Sequence, residues 1–245
     1  MSWDWQVFCR NTLDGEVRPS CLGDGGDITY LDWLLSAWSW TLSVALLALV
    51  VALAMGSIMG IFRTTPSKSM VAIGNAWTEL FRNIPLLVQV FLWYHALPAL
   101  IPALKGLPSF ILVVCALGFF TSARISEQVR AGIQSLPKGQ RYAGLALGLT
   151  LPQTYRYVLL PMAFRIIIPP LTSEGMNIIK NSSVAFAVSV AELTMFAMQA
   201  QEETSRGIEV YLAVTGLYFI SAFFINRIAL FVEHRARVPG MTGGH

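Results

Sequence analysis

Charge is what this chain has least of. Only 13% of its 245 residues are Asp, Glu, Lys or Arg, roughly half the share of an ordinary soluble domain, so water is not its main solvent. The net charge of +3 is small and dispersed, which argues against a nucleic acid partner. Cysteine is equally scarce: three residues, no CxxC and no histidine nearby, a spacing that does not hold zinc. The histidines, His95, His234 and His245, form no cluster along the sequence. No GxxxxGK[ST] occurs, so ATP used by this protein has to be bound by a partner. The first 32 residues lack the basic-then-apolar order of a cleavable signal peptide, and none is expected.

What is present is long apolar runs. Hydrophobic residues make up 55% of the chain and the mean hydropathy is +0.58. A bilayer core takes about 20 mostly apolar residues per helix. Five spans are expected: about Trp33 to Phe62, Pro85 to Ile101, Pro108 to Arg130, Ala163 to Val190, and Val210 to Val232. Before the second lies an amphipathic interfacial helix, Met70 to Phe81, separated from it by a break near Asn83, because Pro85 removes a donor and disfavours helix at Ile84. Gly56 and Gly60 form a GxxxG that permits close helix contact, or are ordinary small residues.

Lys and Arg near the span ends set the orientation. The N-terminal segment carries Arg10 and Arg18 against Asp4, Asp14, Glu16, Asp24, Asp27 and Asp32. Arg63 and Lys68 follow span one, and Lys105 alone follows span two. Lys138, Arg141 and Arg156 follow span three with no acid among them. Arg206 lies among Glu202, Glu203 and Glu209 after span four, and Arg235 and Arg237 lie in the tail. The alternation puts the N-terminus outside and the C-terminus in the cytoplasm. The expected organisation is an N-terminal segment outside over 1–32, a transmembrane domain over 33–232 and a cytoplasmic tail over 233–245.

The stretch after span three, residues 138–161, then lies on the cytoplasmic face. Tied to spans at both ends, a helix there transmits force from a soluble partner. Gly144 and Gly148 share a helical face at i and i+4 and leave a groove for a partner's side chains. Pro152 then turns the chain and Pro161 starts the return to span four. The competing reading is a basic helix lying on anionic lipid.

The same residues resemble a known family. Tyr142-Ala143-Gly144, three residues, Gly148, nine residues, then Val158-Leu159-Leu160-Pro161 is similar to the loop shared by permease subunits of bacterial ABC importers. TELFRNIPLLVQVFLWY from Thr78, SEQVRAGIQSLPKGQ from Ser126 and PPLTSEGMNIIKNSSV from Pro169 resemble the polar amino acid permeases of that superfamily. TYLDW, TSARISEQVR, LTSE and the late VPG resemble glutamate/aspartate importer permeases most. The resemblance implies an all-α protein of a bacterial inner membrane with the ABC type I importer permease fold, its 1–32 segment periplasmic, in which 138–161 contains the coupling helix. Arg141, Tyr142, Ala143, Gly144, Gly148, Leu160 and Pro161 would then meet the ATPase. The Glu of the family pattern is replaced by Tyr142, leaving its anchor to the tyrosine hydroxyl or to the partner permease. The implied partners are a second, related permease, two ATPase subunits that bind the ATP, a periplasmic binding protein and the amino acid itself. The chain would catalyse no covalent chemistry and need no cofactor of its own. Its substrate would be glutamate or aspartate, with a neutral amino acid or an amide such as glutamine as the alternative.

Ionisable groups inside spans are costly and mark functional sites. Arg124 and Glu127 in span three, with Glu174 and Lys180 in span four, are the candidates. Thr172, Ser173 and Asn177 make span four polar enough to line a cavity or another helix. Glu127 and Arg130, three apart, are placed to pair on one face. Arg124 either pairs with Glu127 or Glu174, or offers its planar fork to a substrate carboxylate. The break at RNIP opens a helix N-terminus that favours anions. Cys9 and Cys21, both in the segment assigned to the oxidising periplasm, either form a disulfide or remain thiols; Cys115 in span three is expected free. A membrane-embedded enzyme would need clustered acids, His or Cys, which the chain lacks; periodicity alone leaves a passive scaffold subunit open.

Overall fold

The computed structural model describes residues 3–24 and 26–236. Arg237, Val238-Pro239-Gly240 and the rest of the expected tail to His245 lie outside the described residues. Among the described residues no strand forms; the chain is helical, with two isolated β-bridges, Arg10 to Val17 and Asn11 to Thr29, in the N-terminal segment.

Helix α1, Tyr30–Phe62, begins three residues before the apolar run does. Its start is fixed by a capping box: the Asp32 amide donates to Thr29 Oγ1 at 3.3 Å and the Thr29 amide donates to Asp32 Oδ2 at 3.0 Å. Helix α2, Lys68–Asn83, is capped by Ser67 and stops at Ile84, held extended before Pro85. Helix α3, Leu86–Phe91, passes through a π turn at Leu92–Ala96 into α4, Leu97–Leu100. Helix α5 runs Ser109–Gln134. The basic stretch contains α6, Lys138–Ala146, and α7, Leu151–Thr154. A second π turn at Tyr155–Leu159 leads into α8, Leu160–Asn181, which carries Pro169 and Pro170 inside it. A 3-10 turn at Ser182–Val188 precedes α9, Leu193–Thr204, and α10 runs Gly207–Ala236.

Both π turns have one cause. Each is capped by a residue that stands before a proline, Leu97 before Pro98 and Leu160 before Pro161. A proline ring clashes with the carbonyl four residues back. Widening the turn by one residue moves that carbonyl away, and the Leu97 and Leu160 amides reach back to the Leu92 and Tyr155 carbonyls.

Among the described residues three helices are long and apolar enough to cross a membrane: Tyr30–Phe62, Ser109–Gln134 and Gly207–Arg235. The count reaches five if two broken pairs, Lys68–Asn83 with Leu86–Leu100 and Leu151–Val188 with Leu193–Thr204, each form one span. The expected second span is thus too short alone, and the expected fourth, Ala163 to Val190, is interrupted where α8 gives way to the 3-10 turn. Helix α9 falls where only a connection was expected.

Close contacts divide the chain into two compact units. One contains the N-terminal segment with α1 through Leu47, Leu87–Val114 and Ile179–Phe223. Its core joins Val7 and Phe8 of the N-terminal segment to Tyr30, Leu34, Phe196 and Val210. The other contains Ala48–Leu86, Cys115–Ile178 and α10 from Phe224. Here glycines let helices touch. A Cβ on Gly56 would stand 2.6 Å from Ile125 Cβ, and one on Gly60 2.6 Å from Val129 Cβ. The GxxxG therefore seats α1 against α5 of the same chain. On α5, a Cβ at Gly132 would come within 2.4 Å of Ile167 Cγ2 of α8.

Candidate functional site

Helix α5 supplies the first group of candidates. Arg124 Nε lies 3.0 Å from Glu174 Oε2 on α8, and its guanidinium covers the Phe120 ring at 4.9 Å. Gln128, one turn on, donates to the other Glu174 oxygen at 3.3 Å. Glu174 is buried, 6% exposed, whereas about a third of the Arg124 side chain is open (34%). Arg124 Nη2 is buried without a hydrogen-bond acceptor. Of the two readings left open for Arg124, the geometry makes the pair with Glu174.

Glu127 does not turn to Arg130. It accepts from Arg82 Nη1 of α2, while Arg82 Nη2 also donates to Glu79 at 2.9 Å. Arg82, in the last turn of α2, thus reaches across to α5. Thr172 Oγ1 donates back to the Ile168 carbonyl at 3.1 Å within α8. Ser173 and Lys180 are exposed and Asn177 is half-buried; their spacing lines them along one face of α8, about 100° from Glu174. The six expected substrate residues therefore separate into the Arg124–Glu174 pair, a Glu127–Arg82 bridge, Thr172 bonded into its own helix, and a polar stripe carrying Ser173 and Asn177.

The second group lies around α6. Gly144 and Gly148 do not share a helical face, because α6 ends at Ala146. Gly148 adopts φ of +83° beyond the helix. Its amide donates to the Leu145 carbonyl at 3.0 Å, and the Leu149 amide to the Gly144 carbonyl at 3.1 Å. Those two bonds are the Schellman ending, whose C′ position demands the left-handed conformation. The turn of the chain is made by Gly148, not by Pro152, which opens α7 within a Thr150–Gln153 capping box. The groove expected at Gly144 is filled from within: a Cβ there would meet Thr154 Cγ2 at 2.8 Å. What remains outward is Tyr142 (66% exposed), Ala143, Leu145 and Leu147 (82% exposed), with Arg141 half-buried beside them. Leu160 and Pro161 follow the second π turn at the start of α8.

Two polar networks escaped the sequence reading. Arg63, which reads as an ordinary membrane-end cation, is only 8% exposed. Its Nε donates to Asn75 Oδ1 at 2.9 Å and its Nη1 reaches Thr78 and Ser126 hydroxyls at 3.3 and 3.4 Å. Glu192 is fully buried and caps α9, accepting from the Thr194 and Met195 amides and from the Tyr218 hydroxyl at 2.8 Å. A lone acid just before LTMFAM was the available signal for that cap. In the N-terminal segment Cys9 and Cys21 are joined by a disulfide, and Cys115 is free. The Asp4 amide donates to Glu209 at 2.9 Å, Asp4 pairs with Arg10 and Arg206, and the Tyr30 hydroxyl donates to Glu203 at 2.7 Å. That segment is therefore stitched to the α9–α10 connection. Among the described residues no group of three His, Cys, Asp or Glu is placed to hold a metal.

Comparison with known proteins agrees with this architecture. The chain is 39% identical to the glutamate/aspartate import permease protein GltJ of Escherichia coli (strain K12) over 254 residues, 100% of this chain and 99% of that one. It is 36% identical to the probable glutamine ABC transporter permease protein GlnM of Bacillus subtilis (strain 168), covering 80% of this chain and 89% of the relative. Among solved structures, that of an amino acid ABC transporter with histidines superposes with a TM-score of 0.73 at 30% identity, over 84% of this chain and 95% of the other. Residues 52–238 match the family described as binding-protein-dependent transport system inner membrane component. A helical chain with membrane-length helices, a glycine-seated α1–α5 contact and a basic helical stretch between long apolar ones thus belongs to the inner membrane components of binding-protein-dependent transport systems.

Proposed function

We propose that this chain is the permease subunit of an ATP-driven importer that carries glutamate or aspartate across the inner membrane by alternating access. The chain would cross five times, with residues 1–32 periplasmic, 33–232 in the transmembrane domain and 233–245 cytoplasmic. It would work with a second, related permease, two ATPase subunits that bind and hydrolyse the ATP, and a periplasmic binding protein that delivers the substrate. The outward face of α6, with Arg141, Tyr142 and Ala143, would meet the ATPase, while Gly144, Gly148, Leu160 and Pro161 would shape the region. Closure of the ATPases would then bias a two-state arrangement of the spans.

The observation that carries the substrate class is Arg124. An Arg inside a span costs about 2.5 kcal/mol or more. Here Glu174 offsets part of that, yet about a third of the Arg124 side chain stays open, and its Nη2, though buried, has no acceptor. A substrate carboxylate fits that open part through the planar fork. Thr172, Ser173, Glu127 and Asn177 would contribute to the surrounding path rather than to one cluster. The competing reading, a purely structural pair, is favoured by the same 3.0 Å contact.

Uptake of labelled glutamate against glutamine decides between them. Arg124→Lys keeps the charge and loses the fork. A hydrogen bond to a charged group contributes about 1.5–3 kcal/mol, so the variant should lose roughly ten- to a hundredfold in glutamate uptake, and Arg124→Tyr more. Glutamine uptake should fall far less. Equal losses for both substrates, at matched expression and with binding protein in excess, would assign Arg124 to structure alone.

A further inference from the structure

A cleft of about 280 Å³ opens between the end of α1 and the start of α6. Three cations line it, Arg63, Lys138 and Arg141, and no carboxylate does. Ile133, Leu136 and Leu159 form apolar parts of its wall. Like charges brought together on such a wall repel one another, and the carboxylates that act on Arg63, Glu79 and Glu127, lie outside the cleft lining, so an anion in the cleft would be favoured.

Neither arginine is bonded to a carboxylate among the described residues. Arg63 is 8% exposed, and its bonded acceptors are neutral: the Asn75 side-chain oxygen and the Thr78 and Ser126 hydroxyls. Those groups satisfy its donors without compensating its charge. Arg141 Nε is buried with no acceptor. Between Glu127 and Glu174 the sequence carries Arg130, Lys138, Arg141, Arg156 and Arg165 and no acid at all. The backbone adds to the deficit. Helix α6 starts at Lys138, its N-cap is Pro137 without a side-chain hydrogen bond, and its first turn has no acid. A helix N-terminus has positive character and exposed amides, so two cations within its first four residues are electrostatically unfavourable unless an anion sits there.

We propose that this cleft is an anion site for a phosphate group, held by Arg63, Lys138 and Arg141 together with the amides at the start of α6. Three cations from two elements suit an oxyanion with several oxygens and more than one charge better than a single carboxylate. The phosphate could come from a phospholipid headgroup or from free phosphate in solution; the chemistry of the site is the same. An occupied site would tie the basic stretch to the end of α1 and so make its position responsive to that ligand.

The test uses the full chain in neutral detergent and inorganic phosphate as the probe, titrated calorimetrically against chloride at matched ionic strength. Binding should be saturable and should fall at least tenfold in Arg141→Gln and in Lys138→Gln. Gln134 lies at the mouth of the same cleft and is exposed, so Gln134→Glu should place a carboxylate there without removing a core side chain, and should weaken phosphate binding as well. Arg141→Lys, which keeps the charge, should bind within a few-fold of the parent. In nanodiscs of phosphatidylcholine with added phosphatidylglycerol, loss of phosphate binding together with retention of the anionic lipid by native mass spectrometry identifies the headgroup as the source. Unchanged phosphate binding in those discs identifies free phosphate. Absence of saturable binding by either probe, or binding indifferent to all the substitutions, overturns the proposal. So does a cleft that takes neither probe yet cross-links to an acidic side chain of an ATPase subunit. Because the readout is binding and not uptake, a chain that imports some other substrate would still pass or fail it on its own terms.

Discussion

Gly148 separates two physical accounts of the basic stretch. If the glycine leaves a groove, the damage done by a substitution should grow with the volume of the new side chain. If it serves the Schellman turn, the damage should follow backbone conformation and be nearly independent of size. The structure favours conformation: φ is +83°, and a Cβ built there meets nothing within 4 Å. An L-residue in the left-handed region costs about 1–2 kcal/mol. The alternative is to open the turn and lose two backbone hydrogen bonds, those from Gly148 and Leu149, at about 0.5–1.5 kcal/mol each. The cheaper route sets the ceiling, roughly 1–2 kcal/mol, for Ala and for Leu alike. Asn, which tolerates this conformation, should cost about half as much or less. Hydrogen exchange over residues 144–149 reads the cost directly. Exchange should quicken by roughly 5- to 30-fold in Gly148→Ala, by a similar factor in Gly148→Leu, and least in Gly148→Asn. A neutral Gly148→Ala beside a severe Gly148→Leu would refute the turn account and restore the groove.

Three other expectations follow from particular contacts. Gly56→Val should overpack the α1–α5 seam at Ile125 and lower stability in detergent by about 1–3 kcal/mol, whereas Gly139→Ala, with nothing near it, should be neutral or slightly stabilising; thermal unfolding compares them. A membrane-impermeant thiol reagent applied from outside should mark Ser20→Cys and leave Ser135→Cys untouched, and marking of Ser135→Cys would reverse the proposed orientation. Reduction should add two protons to the intact mass of the chain because Cys9 and Cys21 are joined; an unchanged mass would mean two thiols.

Legibility in the sequence followed the strength of each local rule. Helices α1, α5 and α10 are long, apolar and uninterrupted, and composition alone located them to within a few residues. The break before Pro85 was equally plain, because proline acts on its own neighbour. The path from Leu151 to Thr204 was not, since its interruptions depend on packing: the 3-10 turn at Ser182–Val188 carries no proline or glycine. Family resemblance located the basic stretch, while the idea that Gly144 and Gly148 form one face failed for a local reason, the early end of α6. Individual side chains were least legible of all. The Arg124 partnership with Glu174 joins residues fifty positions apart, and the burial of Arg63 depends on Asn75, Thr78 and Ser126 arriving from two other helices. Spacing along one helix gave Arg130 to Glu127; the fold gave it Arg82.

The two π turns bear on how this protein can vary. A π turn is a single surplus residue absorbed without breaking the rod, and one residue corresponds to about 100° of rotation around a helix. Everything beyond Leu159 is therefore re-phased by that angle relative to what precedes it, including Glu174 and the stripe from Ser173 to Lys180. Substituting Pro161 would remove the reason for the surplus while leaving the residue in place, so the helix would have to choose between keeping the bulge and sliding its register. Deleting one residue between Tyr155 and Leu159 along with that substitution would restore regular winding and the original phase together. In this chain, insertion length and the identity of a downstream proline are thus a linked pair of characters, and neither is free to drift without the other.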